Sequence, residues 1–191
     1  MEKELKPEES LKIINDMISS AKINLREHNF YFLFWGYTIA LISLMHFIAD
    51  YYMLLNNPEI VWLLVIPGMI VSGIYGYVTG RKNKTFSHID KIHSFTWFAF
   101  IISYIIIIIF GKEVNYNISE LIFVLVGMAT FISGTVLKFR PLTFGAIVFW
   151  IGAIICFIIP HIYVTLVGFF IIIFGFLVPG YMLKNYSKKN A

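Results

Sequence analysis

Two histidines and one aspartate are the residues of this sequence whose types and spacing best suit site chemistry. His46 and Asp50 are four residues apart, so on a helix they would share one face. His161 follows a short proline-containing link much later in the chain. Two imidazoles and a carboxylate are ligands that divalent transition metals accept. Interfacial hydrogen bonding is the favoured interpretation of His46, Asp50 and His161, and a metal or haem site at these three residues is the less favoured alternative.

Motifs of known enzyme chemistry are absent from the sequence. It contains no HExxH zinc motif, no GxSxG nucleophile turn and no glycine-rich phosphate loop. His88, Asp90 and His93 lie close together, but their spacing matches no specific ligand signature. We therefore predict no catalytic residue and no bound cofactor, and an enzyme is the least favoured class of function.

The elements that must position these residues are six apolar runs. The chain has 191 residues, of which 59% are hydrophobic, and its mean hydropathy is +0.79. About 20 apolar residues in a helix span the hydrocarbon core of a bilayer. The sequence predicts an all-α polytopic membrane protein, a bundle of six transmembrane helices in three hairpins, with spans at 30–49, 60–80, 94–110, 121–137, 142–159 and 162–183.

The interiors of the six runs carry no charged side chain. Ion pumps, proton relays and voltage sensors usually contain ionisable groups within their spans. The pattern therefore argues against ion-coupled machinery. By these boundaries, the acidic residues near span ends belong to the outer surface: Asp50, Glu59, Glu113 and Glu120.

The distribution of basic residues predicts the orientation. Of the 15 Lys and Arg residues, 14 fall in the N-terminal tail, the second and fourth connections and the tail 184–191, and only Lys112 falls on the other side. Cytoplasmic segments retain Lys and Arg, so both termini should be cytoplasmic in a bacterial inner membrane. The bilayer is the expected environment, and nucleic acid is not an expected partner.

Residues 1–29 contain an amphipathic helix over 7–29. Its apolar residues recur every three or four positions, at Leu11, Ile14, Ile18, Ala21 and Leu25. This row, the cytoplasmic stripe, requires a covering surface. The candidates are the membrane surface, the cytoplasmic loops of the bundle, and another chain, either a second copy or a cytoplasmic protein.

The second span carries a small residue at every fourth position: Gly68, Ser72, Gly76 and Gly80. Small residues let another helix approach closely in lipid, so this span should lie at the centre of the bundle, or else form a dimer seam. Pro67 should kink the same span.

Two further packing predictions concern the other spans. The isoleucine-rich third span should face lipid at the periphery. The fifth and sixth spans should pack closely, because each has two glycines seven residues apart, at Gly145, Gly152, Gly168 and Gly175.

Several short segments resemble an uncharacterised family of small six-span bacterial inner-membrane proteins. They are PEESLKII at 7–14, FYFLFWG at 30–36, SGTVLKFRP at 133–141 and PGY at 179–181. The resemblance implies the six-span architecture and the membrane, and it brings no activity and no catalytic residue.

These observations favour a non-enzymatic membrane protein that acts as a sensor, regulatory subunit or scaffold through its cytoplasmic helix. The alternative is a transporter or channel for a small neutral or lipophilic solute, suggested by the glycine-lined second span. A membrane enzyme or a metal- or haem-binding protein that uses the outer histidines is less favoured.

Overall fold

A computed structural model of the chain describes residues 7–82 and 88–189, with side chains described over 29–79 and 91–186. All regular secondary structure in the described residues is helical. Six helical segments are long and apolar enough to cross a membrane, which confirms the all-helical, multi-pass prediction. These segments are Asn29–Tyr51, Pro58–Thr79, Lys91–Ile109, Ile118–Val136, Arg140–Ile158 and His161–Tyr186.

Four of the spans belong to single helices: α1 (Pro7–Tyr51), α3 (His88–Ile109), α4 (Ile118–Val136) and α5 (Arg140–Ile158). The second span begins as a 3-10 segment, Pro58–Leu64, and continues as α2, Val65–Lys82. The sixth span consists of a 3-10 turn, α6, a π-helical turn and α7, at His161–Tyr163, Val164–Ile172, Ile173–Leu177 and Val178–Lys189.

Helix α1 joins two segments that the sequence suggested were separate. The predicted cytoplasmic helix at 7–29 and the first span at 30–49 form one unbroken helix of 45 residues. The part from Asn29 onwards packs in the bundle, and Phe32, Ala40 and Ile42 are buried there.

The main core lies between α1, α4, α5 and the sixth span. Phe149 on α5 is its most central aromatic residue: its side chain is fully buried and its ring centroid lies 4.8 Å from that of Phe176 and 6.3 Å from that of Phe123. Leu142 and Leu183 are equally buried and belong to the same cluster. Aromatic side chains of this size dominate core energetics, so these four elements form the stable centre of the molecule.

Glycines bring α5 and the sixth span together, as the sequence predicted. Gly145 lies against the carbonyl oxygen of Gly175, and Gly152 lies against the side chain of Ile171, so a Cβ at either glycine would clash. Pro179 stands four residues after Gly175 and has no N–H to donate to that carbonyl. Gly175 therefore belongs to the π-helical turn and is also in close contact with α5.

A second close contact, which the sequence did not indicate, joins α1 to the π-helical turn and α7 of the sixth span. A Cβ at Gly36 would stand 2.7 Å from the Leu177 side chain, and one at Gly180 would stand 2.9 Å from Leu33. Each glycine thus accommodates a leucine from the other helix. This reciprocal arrangement anchors the first span to the last.

The second span lies at the edge of the bundle, so the prediction that it is central is wrong. Only 17% of its most apolar stretch is buried, against 44% for the fourth and sixth spans. Within the described residues it packs mainly on α1, and its α-helix begins at Val65, which puts Pro67 in the first turn. Proline is well tolerated in the first turn of an α-helix.

The third span is peripheral, as predicted. Only 6% of its apolar stretch is buried, and its isoleucines Ile101, Ile102, Ile105, Ile106, Ile108 and Ile109 are exposed. Its principal neighbour is α4. Branched apolar side chains without a protein partner suit contact with lipid.

Candidate functional site

Near the predicted outer end of the first span, His46 pairs with Trp62 of the second span. Trp62 Nε1 donates a hydrogen bond of 2.7 Å to His46 Nδ1, and the two rings meet edge to face with centroids 6.2 Å apart. An indole N–H can only donate, so Nδ1 must be the unprotonated nitrogen of the imidazole. The bond joins the second span to α1.

The predicted metal ligands come only partly together. Asp50, Glu59 and His161 are near enough to His46 to act on it electrostatically, and the turn that contains His161 contacts α1. Within the described residues, however, no three His, Cys, Asp or Glu side chains are placed to hold a metal ion. His46 is engaged with Trp62 and His161 is exposed, so the arrangement resembles interfacial hydrogen bonding more closely than a metal centre.

Glu120 is the buried carboxylate that the sequence analysis placed on the outer surface. The structure begins α4 at Ile118, so Glu120 is its third residue, and only 1% of the side chain is exposed. Its Oε2 atom has no hydrogen-bond partner in the described part of the chain. The signal that could have revealed it is the Asn117-x-x-Glu120 spacing, typical of a helix start that would draw Glu120 into the span.

A groove lies at the predicted cytoplasmic end of the bundle, between α1, α2 and α7. It has a volume of about 390 Å³ and is lined by Asn29, Phe30, Leu33, Phe34, Tyr37, Tyr75 and Lys184. We call it the inner groove. The rings of Phe30 and Tyr75 stack with centroids 3.8 Å apart and form the wall on the α2 side. Tyr37, which also lines the groove, shares a hydrogen bond between its hydroxyl group and that of Tyr181.

Two polar side chains line the inner groove, those of Lys184 and Asn29. Lys184 contributes an ammonium group that lies 5.8 Å from the centroid of the Tyr181 ring. Asn29 is only 8% exposed, and its Oδ1 atom has no hydrogen-bond partner among the described residues. Neither residue was predicted from the sequence to belong to a site, although each lies where an apolar run gives way to a basic segment.

The small residues of the second span face large side chains of α1. Gly68 lies against the Trp35 ring, and a Cβ at Gly76 would stand 2.8 Å from the Tyr31 hydroxyl oxygen. That hydroxyl also donates a long hydrogen bond of 3.5 Å to the Ser72 carbonyl. The burial of Gly80 lies outside the described residues. Gly68 and Gly76 thus accommodate aromatic side chains, and the backbone of Ser72 accepts a hydrogen bond from one of them.

The cytoplasmic stripe lies on helical backbone, within α1. The side chains of its members, Leu11, Ile14, Ile18, Ala21 and Leu25, are outside the described residues. Their role as a contact for a partner or for the membrane surface stays a prediction.

No protein family, curated protein or solved structure matches this chain.

Proposed function

We propose that this chain is a non-enzymatic protein of a bacterial inner membrane that acts as a sensor, regulatory subunit or scaffold. In this proposal its termini and its N-terminal helix are cytoplasmic, and the helix binds a protein partner through the cytoplasmic stripe. The partner is either a second copy of the chain or a cytoplasmic protein.

The observation that carries the proposal is the continuity of α1 from Pro7 to Tyr51. The 22 residues before Asn29 would extend about 33 Å beyond the bundle at 1.5 Å per residue. A helix that continues unbroken in this way cannot turn onto the membrane surface without a kink. Its apolar stripe is then available to another helix. Because the helix is continuous, a displacement of its N-terminal part would also move the first span.

The charge distribution supports the orientation, because 14 of 15 basic residues fall on the side of both termini. The connections at 137–139 and 159–160 are three and two residues long. Such short links favour antiparallel pairing of consecutive spans, as the proposed hairpins require.

The transport alternative loses its main support. It relied on a central second span, whose glycines would line a path through the bundle. That span is peripheral, and its small residues accommodate Trp35 and Tyr31. A solute path along it would open sideways into lipid.

Site-specific photo-crosslinking in growing bacterial cells tests the proposal. A photoreactive phenylalanine analogue at Ile14 or Ile18 should give a discrete protein adduct, whose mass distinguishes a second copy from another protein. Asp16 and Ser20 serve as matched controls, because each is two positions from a stripe residue and so belongs to the opposite face of the same helix turns. The double variant Leu11→Asp, Ile18→Asp should remove the adduct formed from Ile14.

Two outcomes would contradict the proposal. One is crosslinking of the stripe positions to lipid or to loops of the same chain. The other is an equal yield of adduct from Asp16 and from Ile14, which would indicate random collision. Detergent extraction of the double variant as a folded, monodisperse protein provides the control for an intact bundle.

A further inference from the structure

The first half of the second span is attached to α1 by a small set of contacts. Val61 and Val65 are buried against Ile42 in a cluster distinct from the main core. Trp62 packs on this cluster and donates its hydrogen bond to His46. Only 17% of the apolar stretch of this span is buried, so one hydrogen bond is a considerable part of what fixes its position.

The hydrogen bond between Trp62 and His46 depends on the charge of the imidazole. An indole N–H only donates, so the bond requires a lone pair on Nδ1, which a neutral imidazole has and an imidazolium lacks. An imidazole that takes up one proton from water is a donor at both nitrogens. Two N–H groups would then point at each other, and the pair would separate. Histidine ordinarily gains this proton between pH 8 and pH 5.

The ionisable groups around His46 offer an imidazolium another partner. Asp50 lies one turn further along α1 and Glu59 lies in the 3-10 segment of the second span, and both carboxylates act on His46. His161, in the 3-10 turn of the sixth span, acts on it in the opposite sense. Helix α6 and the π-helical turn also pack on α1 and contain no ionisable side chain. The tyrosines of α2 and α7 that contact α1 meet it toward its predicted cytoplasmic side.

We propose that His46 and Trp62 form an acid-sensitive latch between the first and second spans. Near neutral pH the latch is closed, with the indole N–H bound to Nδ1. A proton that binds at Nδ1 opens it: the imidazolium turns to Asp50 or Glu59, and the first half of the second span moves away from α1. The use of this latch to sense acid outside the cell rests on the proposed function and orientation, whereas its chemistry depends on neither.

The second span is the element that moves when the latch opens. Helix α1 is fixed in the main core, where Phe32 and Ala40 are buried, and it is also packed on the sixth span. The second span packs mainly on α1 within the described residues, and it begins as a 3-10 segment, Pro58–Leu64. Hydrogen bonds in a 3-10 helix have poorer geometry than those in an α-helix, so this segment resists displacement less.

Nuclear magnetic resonance of the full chain in detergent, with isotope-labelled tryptophans, tests the latch. The indole N–H signal of Trp62, assigned by its absence in Trp62→Phe, should move upfield between pH 8 and pH 5 as its hydrogen bond is lost. His46→Asn retains an acceptor oxygen near the position of Nδ1 but takes up no proton, so the signal should stay in place. His161→Asn is the matched control: it removes a neighbouring imidazole, leaves the pair intact and should preserve the titration.

Spin labels report whether the second span moves. Labels at Leu63→Cys and Ile158→Cys, both exposed positions, should give a longer or broader distance distribution at pH 5 than at pH 8. His46→Asn should remove this difference. The control pair is Tyr116→Cys with Ile158→Cys, which reports on the ends of α4 and α5 and should give one distribution at both pH values. Cys156 is buried and should stay unlabelled.

Trp62→Phe provides a second variant, because it lacks the donor and should give the open distribution at both pH values. A thermal unfolding curve verifies that each variant is folded. Three results would overturn the latch: a Trp62 signal that stays fixed between pH 8 and pH 5, an equal movement of that signal in His46→Asn, or an interspan distance that pH leaves unchanged. All measurements use the isolated chain, so failure of the latch and failure of the proposed cytoplasmic contact are distinguishable.

Discussion

Glu120 has an ionisable side chain in the buried interior of the bundle. Its carboxyl group is almost completely buried, and one oxygen lacks a hydrogen-bond partner in the described structure. Its place in the first turn of α4 offers compensation, because a helix N-terminus favours an anion by about 0.3–1 kcal/mol. An unsatisfied buried polar group costs about 1–3 kcal/mol when it is neutral and more when it is charged, so the cost exceeds the compensation.

This balance predicts that Glu120→Met stabilises the protein. Methionine has a similar length and flexibility and no polar atom to satisfy, so the free energy of unfolding should rise by about 1–3 kcal/mol. Denaturant unfolding in a fixed detergent, followed by circular dichroism, measures the change. Glu113→Met, at an exposed position on the same predicted face, should change stability very little. A loss of stability in Glu120→Met would contradict the balance and would imply that the carboxyl group has a partner in solution.

Among the elements, the glycines illustrate how position decides the effect of one residue type. Gly152 on α5 lies directly against Ile171 in the core, and Gly76 on α2 lies 2.8 Å (measured from an added Cβ) from the flexible end of Tyr31. Gly73, also on α2, has nothing within 4 Å of an added Cβ. The same substitution at these three sites therefore tests how tightly each element is packed.

We predict a graded loss of thermal stability for leucine at these glycines. Gly152→Leu should prevent folding or cost more than about 3 kcal/mol, because overpacking a closed core forces backbone movement. Gly76→Leu should cost about 1 kcal/mol, since the Tyr31 side chain can move aside toward lipid. Gly73→Leu should have no cost. A Gly76→Leu effect equal to that of Gly152→Leu would indicate that the second span is central after all.

The comparison of these elements with the sequence shows which features could be predicted from it. Hydropathy defines the spans because a bilayer imposes one length on all of them, and the close approach of Gly145 and Gly175 follows from paired small residues on adjacent spans. The peripheral position of the second span could not be predicted in this way. Its small residues suggested close contact between helix backbones, whereas Gly68 and Gly76 accommodate large side chains of α1. Glu120 was missed for a local reason: a boundary at residue 121 put it outside a helix that starts at Ile118.

At the scale of the whole molecule, burial is distributed unevenly among the six spans. Four elements, α1, α4, α5 and the sixth span, share one core, while the second and third spans lie at its edges and expose most of their surface. Both polar features of interest lie beside this core: the His46–Trp62 pair near one end, and the inner groove near the other. The orientation of the molecule therefore decides which of them meets the cytoplasm.

Cysteine accessibility tests that orientation without removal of the native thiol. Cys156 is the single cysteine of the chain and is buried, so it should not react with a maleimide in the folded protein. Glu113→Cys and Lys138→Cys place new thiols at exposed positions in different connections. In intact bacterial cells a membrane-impermeant maleimide should label Glu113→Cys, and it should label Lys138→Cys only after the membrane is permeabilised. The reverse pattern would invert the orientation, and it would then place the inner groove in the outer leaflet and the stripe of α1 outside the cytoplasm.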